Sequence, residues 1–222
     1  MATPMVNVTY LVSDVNLSGM APPVTRRPVG HHHGDLRNSL LRASLELVGE
    51  RGPHGFTLAE ASRRAGVSVA APYKHFTDRD ALLAELATQG YREQRHRFAA
   101  AVKGIEDPVE QLASFAAAYV RFAAEEPALF DVTFNAGLDK SRFAELAAAG
   151  DEVARLLLPV ARQLISDPDA AFDLLLRIAA AAHGLAVFLR QGLFGVGNAA
   201  LSETEEKAAR TARAIARQDA SS

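Results

Sequence analysis

Apolar residues recur every three or four positions along most of the chain, from about residue 35 to residue 217. Leu40, Ser44, Leu47 and Val48 share one predicted face near the start of this stretch. The spacing is that of helices that bury one side. Because no run of alternating β-branched residues interrupts it, no strand is predicted. The pattern predicts an all-α fold of about nine helices without an internal repeat.

Side chains that can accept a hydrogen bond from the free amides of a first helical turn mark the predicted helix starts. Two of them precede a proline, which fits the first turn because its missing N–H has no partner there. Two others open a Ser/Thr-x-x-Glu capping box. The predicted starts are Asp35, Thr57, Ser68, Thr77 or Asp78, Asp107, Asp167 and Ser202. The first helix is predicted to end at Gly49–Gly52, and the helix capped by Thr77 or Asp78 to reach about Val102.

Composition and periodicity divide the chain into three predicted parts. Residues 1–34 hold four prolines and no sustained periodicity, which is typical of a flexible arm. Residues 35–82 form a predicted three-helix head, and residues 83–222 form a larger helical body. Met1 and Met20 are alternative predicted translation starts.

The head contains the spacing of a helix-turn-helix. A first helix, Leu58–Ala65, is predicted to end at Gly66, because glycine readily adopts the left-handed backbone that a tight turn needs. Val67 would fill the angle between the helices, and Ser68 would cap the second. A helix-glycine-helix corner alone is weak evidence of DNA binding, because many helical proteins contain one.

The second helix, Val69–Phe76, is the element predicted to enter a DNA major groove. Its first turn carries Val69, Ala70 and Ala71, which are small enough to let the backbone approach base edges. Its second turn carries Tyr73, Lys74 and His75, which can donate to phosphate. Pro72 lies so near the helix start that we expect the helix to tolerate it.

The segment from Thr57 to Arg79 resembles the DNA-binding motif of the TetR family. That motif runs Thr, Ala, Ala-Gly-Val-Ser, Tyr-x-His-Phe and a basic residue. The matching residues here are Thr57, Ala61, Ala65-Gly66-Val67-Ser68, Tyr73-Lys74-His75-Phe76 and Arg79. The family often has glycine at Ala70, leucine at Pro72 and lysine at Arg79. The proline form is typical of one subgroup, which also carries the string found here at His32–Arg37.

The resemblance implies a ligand-responsive repressor that binds double-stranded operator DNA as a homodimer. It implies that phosphates are held by Thr57, Ser68, Tyr73, His75 and Arg79. It implies that Val69, Ala70 and Ala71 face the bases and that Lys74 contacts a phosphate or a base. Short strings in the body, Pro127–Phe130, Thr133-Phe134 and Ala182–Leu185, resemble the same subgroup.

Aromatic side chains are spread over the helices of the body. Most are expected to be core, because every helix of a soluble domain buries a stripe. Some are expected to line a mostly apolar effector cavity. The candidates are Phe115, Tyr119, Phe122, Phe130, Phe134, His183 and Phe188. For His183, a hydrogen bond in the core or at the dimer interface is an equally good interpretation.

The last two long helices, about Pro168–Gly192 and Glu203–Arg217, are the expected dimer interface, where the resemblance implies a four-helix bundle. The apolar stretch Leu174–Leu189 contains Arg177 and His183 and is shorter than a membrane span requires. A buried helix is therefore predicted there.

Charge supports this division weakly. The first 103 residues carry 13 Lys and Arg against 9 Asp and Glu, and the remainder carries 11 against 17. A basic head and an acidic body suit a DNA-binding protein. The chain has no cysteine, and residues 1–20 lack the basic start of a secretion signal, so we expect a cytoplasmic protein.

An enzyme and a helical adaptor are the alternative classes of protein. An enzyme is disfavoured because no phosphate-binding glycine loop, nucleophile elbow or His-Glu-x-x-His motif occurs. A helical adaptor that binds protein and not DNA is the remaining alternative. His31, His32 and His33 have Asp35 as their one further candidate metal ligand, so a phosphate contact is favoured over a metal site. No cofactor or metal is expected.

Overall fold

The computed structural model describes residues 33–220, with side chains from Leu36 onward. Residues 1–32 of the predicted arm, which include Arg26, Arg27, His31, His32 and the alternative start Met20, lie outside the described residues, and residues 33 and 34 begin α1. The described residues form eight α-helices, two 3₁₀ turns and no strand. The all-α prediction is confirmed.

The helices follow one another through short loops. The α-helices are α1 His33–Arg51, α2 Leu58–Arg64, α3 Arg79–Val102, α4 Pro108–Glu125, α5 Pro127–Asn135, α6 Ala144–Leu164, α7 Pro168–Arg190 and α8 Asn198–Ala220. The 3₁₀ turns are Pro72–Lys74 and Lys140–Arg142. The described part has eight helices where about nine were predicted, and the difference arises in the head.

Several predicted helix starts are confirmed. Asp78 accepts a hydrogen bond from the Ala81 amide at the start of α3. Asp107 accepts one from the Val109 amide, and Asp167 one from the Ala170 amide, each followed by proline in the first turn. These carboxylates also lie at the positive end of the helix dipole, which stabilises them further.

Two predicted starts outside the helix-turn-helix are wrong. Helix α1 begins at His33, two residues before Asp35. Helix α8 begins at Asn198, so Ser202–Glu205 lies inside it. Thr204 is fully buried there, and its hydroxyl donates to the carbonyl of Ala200 one turn earlier, at 2.7 Å. The carboxylate of Glu205, which would close the predicted capping box, instead pairs with Arg121 of α4 at 2.7 Å, so the pattern does not start a helix.

The described chain holds two apolar clusters. The first joins α1, α2 and the first half of α3 to Val132 and Ala136 near the end of α5 and to Leu146 and Ala149 in α6. The second fills the body between α3, α4, α5, α6, α7 and α8. Since α3 contributes Leu82–Tyr91 to one cluster and Phe98 to the other, a single helix connects the head to the body.

Helix α7 is less buried than its sequence predicts. Its apolar stretch has a mean hydropathy of 1.7, and it is long enough to cross a membrane by length and composition alone. Only 28% of that stretch is buried. One side packs on α4, α6 and α8, while Phe172, Leu176 and Phe188 remain exposed. The prediction of a buried helix is therefore wrong for the single chain, because no described element covers its outer side.

Candidate nucleic-acid interface and effector cavity

The predicted capping box forms at the start of α2. The Thr57 hydroxyl accepts from the Glu60 amide at 3.2 Å, and the Thr57 amide donates to the Glu60 carboxylate at 2.8 Å. These bonds satisfy two amides that a helix start leaves free. The bond from the Thr57 amide, with smaller contributions from the Thr57 hydroxyl and Arg51, holds the pKa of Glu60 below its usual value.

The turn after α2 follows the predicted geometry. Gly66 has φ of +71°, the left-handed region that favours glycine. Its amide donates to the Arg63 carbonyl, and the Val67 amide donates to the Ser62 carbonyl. This pair of bonds closes the end of a helix in the Schellman arrangement. Val67 packs against the apolar cluster of the head, as predicted.

The predicted reading helix Val69–Phe76 is not an α-helix. Pro72 lacks the amide that would donate to the Ser68 carbonyl, so that carbonyl accepts from Ala71 three residues on, at 3.0 Å. The His75 amide likewise donates to the Pro72 carbonyl, which gives a 3₁₀ turn at Pro72–Lys74. The expectation that the helix tolerates Pro72 is wrong, and Ser68 has no α-helix to cap.

The sequence-predicted DNA contacts fall into two groups by exposure. Val69 is 53% exposed and Tyr73 is 64% exposed, high values for such side chains in a soluble protein. Ser68, Ala70 and Lys74 are exposed beside them. Ala71 is half-buried. These five exposed side chains lie on one short segment, Ser68–Lys74, which we call the reading turn.

The other predicted contacts are engaged within the head. Arg79 donates from Nε to the Phe56 carbonyl at 3.0 Å and lies 5.1 Å from the centre of the Phe56 ring. His75 is half-buried against Phe76, and its Nε2 is buried. Thr57 is exposed, but its hydroxyl serves the capping box. Arg79 and Thr57 hold the neighbouring backbone through these bonds, while His75 packs against Phe76 and its Nε2 has no hydrogen-bond partner.

The head contacts the body through α5 as well as through α3. His54, in the loop between α1 and α2, forms a 3.0 Å hydrogen bond between its Nε2 and the Asn135 carbonyl at the end of α5. Gly90 in α3 faces Thr133 so closely that an added Cβ would lie 2.2 Å from its hydroxyl oxygen. A shift of α5 would therefore change its contacts with α1, with the α1–α2 loop and with α3.

The body contains a cavity of about 440 Å³. Its walls come from α3, α4, α6 and α7, with Phe134 of α5 and Lys140 of the second 3₁₀ turn. Ala147, Gly150 and Ala154 line the α6 side, and their small size leaves the space open. The volume is in the range that binds small ligands in proteins.

Three of the seven predicted cavity residues line this space, namely Phe115, Tyr119 and Phe134. Phe122 and Phe130 are fully buried and pack against each other in the core. Phe188 lies on the surface, 46% exposed, with its ring against Phe194. Periodicity placed these side chains on buried or half-buried helices but did not reveal which side of each helix faces the cavity.

His183 lies behind the cavity wall. Its Nδ1 is 2.9 Å from the Tyr119 hydroxyl, and its ring stacks on Phe130 at 5.2 Å and meets Phe134 edge-on at 5.1 Å. Burial raises the pKa of Tyr119, which therefore stays protonated, and lowers the pKa of His183. Tyr119, which lines the cavity, is thus hydrogen-bonded to His183 of α7.

Several cavity residues were not predicted from the sequence. Tyr91 and Gln94 lie one turn apart on α3, and Lys140 and Phe172 come from two other elements. A weak sign was present, because Gln94 interrupts the face that Tyr91 and Phe98 continue. Their convergence depends on how four helices pack.

The lowered pKa of His183 predicts a pH effect on stability. The folded protein resists protonating His183, whereas the unfolded chain accepts a proton below about pH 6.5. Stability that is present above that pH is therefore lost as the pH falls through it. Urea unfolding of the wild type and of His183→Gln, at about pH 8 and about pH 5.5, should show a larger drop for the wild type. Equal drops would contradict this assignment.

Comparison with known proteins agrees with this architecture. Residues 40–86 match the profile of bacterial regulatory proteins of the tetR family. Residues 112–216 match that of a tetracyclin repressor-like C-terminal domain. The first match contains the capping box, the reading turn and the start of α3, and the second contains most of the cavity wall and Gly184.

Curated relatives extend the likeness to regulators. The chain is 32% identical over 131 residues to the HTH-type transcriptional regulators BetI of Brucella canis and of Rhizobium meliloti. The match covers 59% of this chain and 63% and 61% of the two relatives, so it spans less than two thirds of their length.

Two solved structures show the same fold. A protein of unknown function from Rhodococcus sp. RHA1 is 27% identical with a TM-score of 0.69, covering 84% of this chain and 98% of that protein. The TetR family transcriptional regulator PfmR of Thermus thermophilus is 19% identical with a TM-score of 0.62, covering 80% and 97%.

The chain belongs to the TetR family of bacterial transcription regulators, which are DNA-binding proteins and not enzymes. The predicted resemblance is thereby confirmed. The assignment to a subgroup stays a prediction.

Proposed function

We propose that this protein is a homodimeric repressor that binds an inverted-repeat operator and is released from it by a small, mostly apolar effector. Residues 35–82 would act as the DNA-binding part and residues 83–222 as the regulatory and dimerising part, working in the cytoplasm with the DNA. The exposed reading turn is the observation that carries the proposal, since Tyr73 and Lys74 project from it beside Val69 and Ala70.

The chemistry of the reading turn divides its residues between two tasks. Tyr73, Lys74 and Ser68 can donate to phosphates, which orient a protein on DNA without reading its sequence. Val69 and Ala70 are small and apolar, which suits close contact with base edges and thymine methyl groups. Thr57 is exposed enough to add a phosphate contact. His75 and Arg79 would act chiefly by holding the turn, and Ala71 by packing beneath it.

The outer side of α7 supports dimerisation. It exposes Phe172, Leu176 and Phe188, of which Phe172 and Leu176 also line the cavity. Exposed apolar side chains grouped on one helix are typical of a protein–protein contact. Gly184 lies on this helix, and a Cβ added there would meet nothing within 4 Å. Glycine inside a helix is about 1 kcal/mol less favourable than alanine. Since the chain itself does not need the small residue, close approach of a second α7 explains it.

The cavity supports control by an effector. Tyr119 links it to α7 through His183, and Phe134 links it to α5, which contacts the head. An effector that fits better when the two heads are wrongly spaced would lower DNA affinity by shifting the population. A coupling of about 1–3 kcal/mol suffices for a 5- to 150-fold effect.

Selection from a random pool of double-stranded DNA with the purified full-length protein tests the proposal. The expected result is an enriched inverted repeat whose half-sites lie about 34–36 Å apart or more, as two-fold symmetry requires. Its affinity should fall steeply with salt, because several phosphates are neutralised on binding. A pool that shows no enrichment and no salt-dependent binding would overturn the proposal in favour of the helical adaptor.

A further inference from the structure

One corner of the cavity is polar, and the rest of its lining is aromatic or aliphatic except for Asp151. We call it the donor corner, and it consists of Tyr91, Gln94 and Lys140. Lys140 Nζ donates to the Tyr91 hydroxyl at 2.7 Å and lies 4.8 Å from the centre of that ring. Gln94 is only 2% exposed, and its Nε2 has no hydrogen-bond partner.

All three side chains of the donor corner have a proton to offer. The Lys140 ammonium group can only donate hydrogen bonds. Because the Tyr91 hydroxyl oxygen accepts from Lys140, the hydroxyl proton of Tyr91 can be donated to another group. Gln94 Nε2 is a buried donor, and a buried donor without a partner is costly enough that proteins almost always supply one. A ligand that completes this corner must therefore bring acceptor oxygens.

The charges around the cavity favour an anionic ligand. Lys140 contributes a positive charge at the exposed end of the corner. Among the described residues that line the cavity, Asp151 is the one carboxylate, and it is exposed and lies 3.6 Å from Arg155, which offsets its charge. An anion would thus find a cation and two neutral donors. A cationic ligand would find no partner comparable to these.

We propose that the effector is an anion that consists of a carboxylate on an apolar body. The carboxylate would bind the donor corner, and the body would lie against Phe98, Phe115 and Leu157. This inference rests on the proposed function, because it concerns the cavity assigned there to the effector.

A matched ligand series tests the charge of the effector. Straight-chain alkanoates of about six to twelve carbons, which fit a cavity of this size, are compared with the corresponding alkanols and alkylammonium ions by calorimetry on the full-length protein. Alkanoates should bind most tightly. Lys140→Met and Gln94→Leu should each weaken alkanoate binding about tenfold, as expected for a lost hydrogen bond to a charged group. Lys140→Glu, a change at an exposed position, should reverse the order in favour of alkylammonium.

Lys103→Met is the control, since Lys103 is an exposed lysine at the end of α3 outside the cavity wall, and it should leave all affinities unchanged. Alkanols or alkylammonium ions that bind the wild type as tightly as alkanoates would overturn the inference, as would a series in which no member binds. Operator affinity is measured separately. If alkanoates bind but operator affinity is unchanged, carboxylate binding at the donor corner is supported, and the proposal that an effector in this cavity controls DNA binding is refuted.

Discussion

Gly184→Trp is expected to convert the proposed homodimer into a folded monomer and to weaken operator binding by about 100-fold or more. The indole would occupy the space into which we propose the partner's α7 packs, while within one chain an added Cβ meets nothing within 4 Å. Folding should therefore be preserved. A monomer engages one half-site at a time and loses the gain in effective concentration that two linked heads provide. Light scattering and DNA titration measure the two effects.

Gly184→Ala offers a second, graded test at the same position. The methyl group should make α7 more favourable by about 1 kcal/mol, and it should weaken the dimer less than tryptophan does. Gln163→Trp, at an exposed position on α6, is the control for a bulky aromatic substitution and should remain dimeric. Wild-type protein that is monomeric at micromolar concentration, or a dimeric Gly184→Trp protein, would show that α7 is not the interface.

The second large effect is expected in the reading turn. The double variant Tyr73→Ala, Lys74→Ala should lose affinity for operator and random DNA by similar factors, because phosphate contacts carry no sequence information. The slope of log affinity against log salt should fall by about one unit for the lost lysine contact. Ala70→Leu should instead reduce operator affinity about 10- to 100-fold while largely sparing random DNA, as expected for a disturbed base contact.

Ala70 is a better test position than Ala71, because Ala71 is half-buried and a larger side chain there would disturb the turn itself. Circular dichroism and thermal unfolding establish that each variant keeps the wild-type fold. The assignment of tasks would be refuted by a double variant that changes sequence preference and keeps its affinity for random DNA. An Ala70→Leu protein with an unaltered operator preference would refute it equally.

Local signals predicted those parts of the chain whose geometry depends on neighbours in sequence. The capping box at Thr57, the turn at Gly66 and the proline-led starts at Pro108 and Pro168 each involve residues within one helical turn. Pro72 also acts locally, and its effect on the backbone is larger than the sequence pattern predicts. Losing one bond in a very short helix removes a large share of its bonds, so the segment forms a 3₁₀ turn.

The sequence by itself determined the helical class of this protein, the starts of α2, α3, α4 and α7 and the motif of its DNA-binding part, because periodicity and capping are properties of short segments. Tertiary structure decided which aromatic rings face the cavity, that Gln94 brings an unpartnered donor to Lys140 and Tyr91, and that α7 keeps an uncovered side. These features depend on how helices distant in sequence cross. A repeat of three or four residues shows that a helix has an apolar side, and only the packed neighbours show what that side contacts.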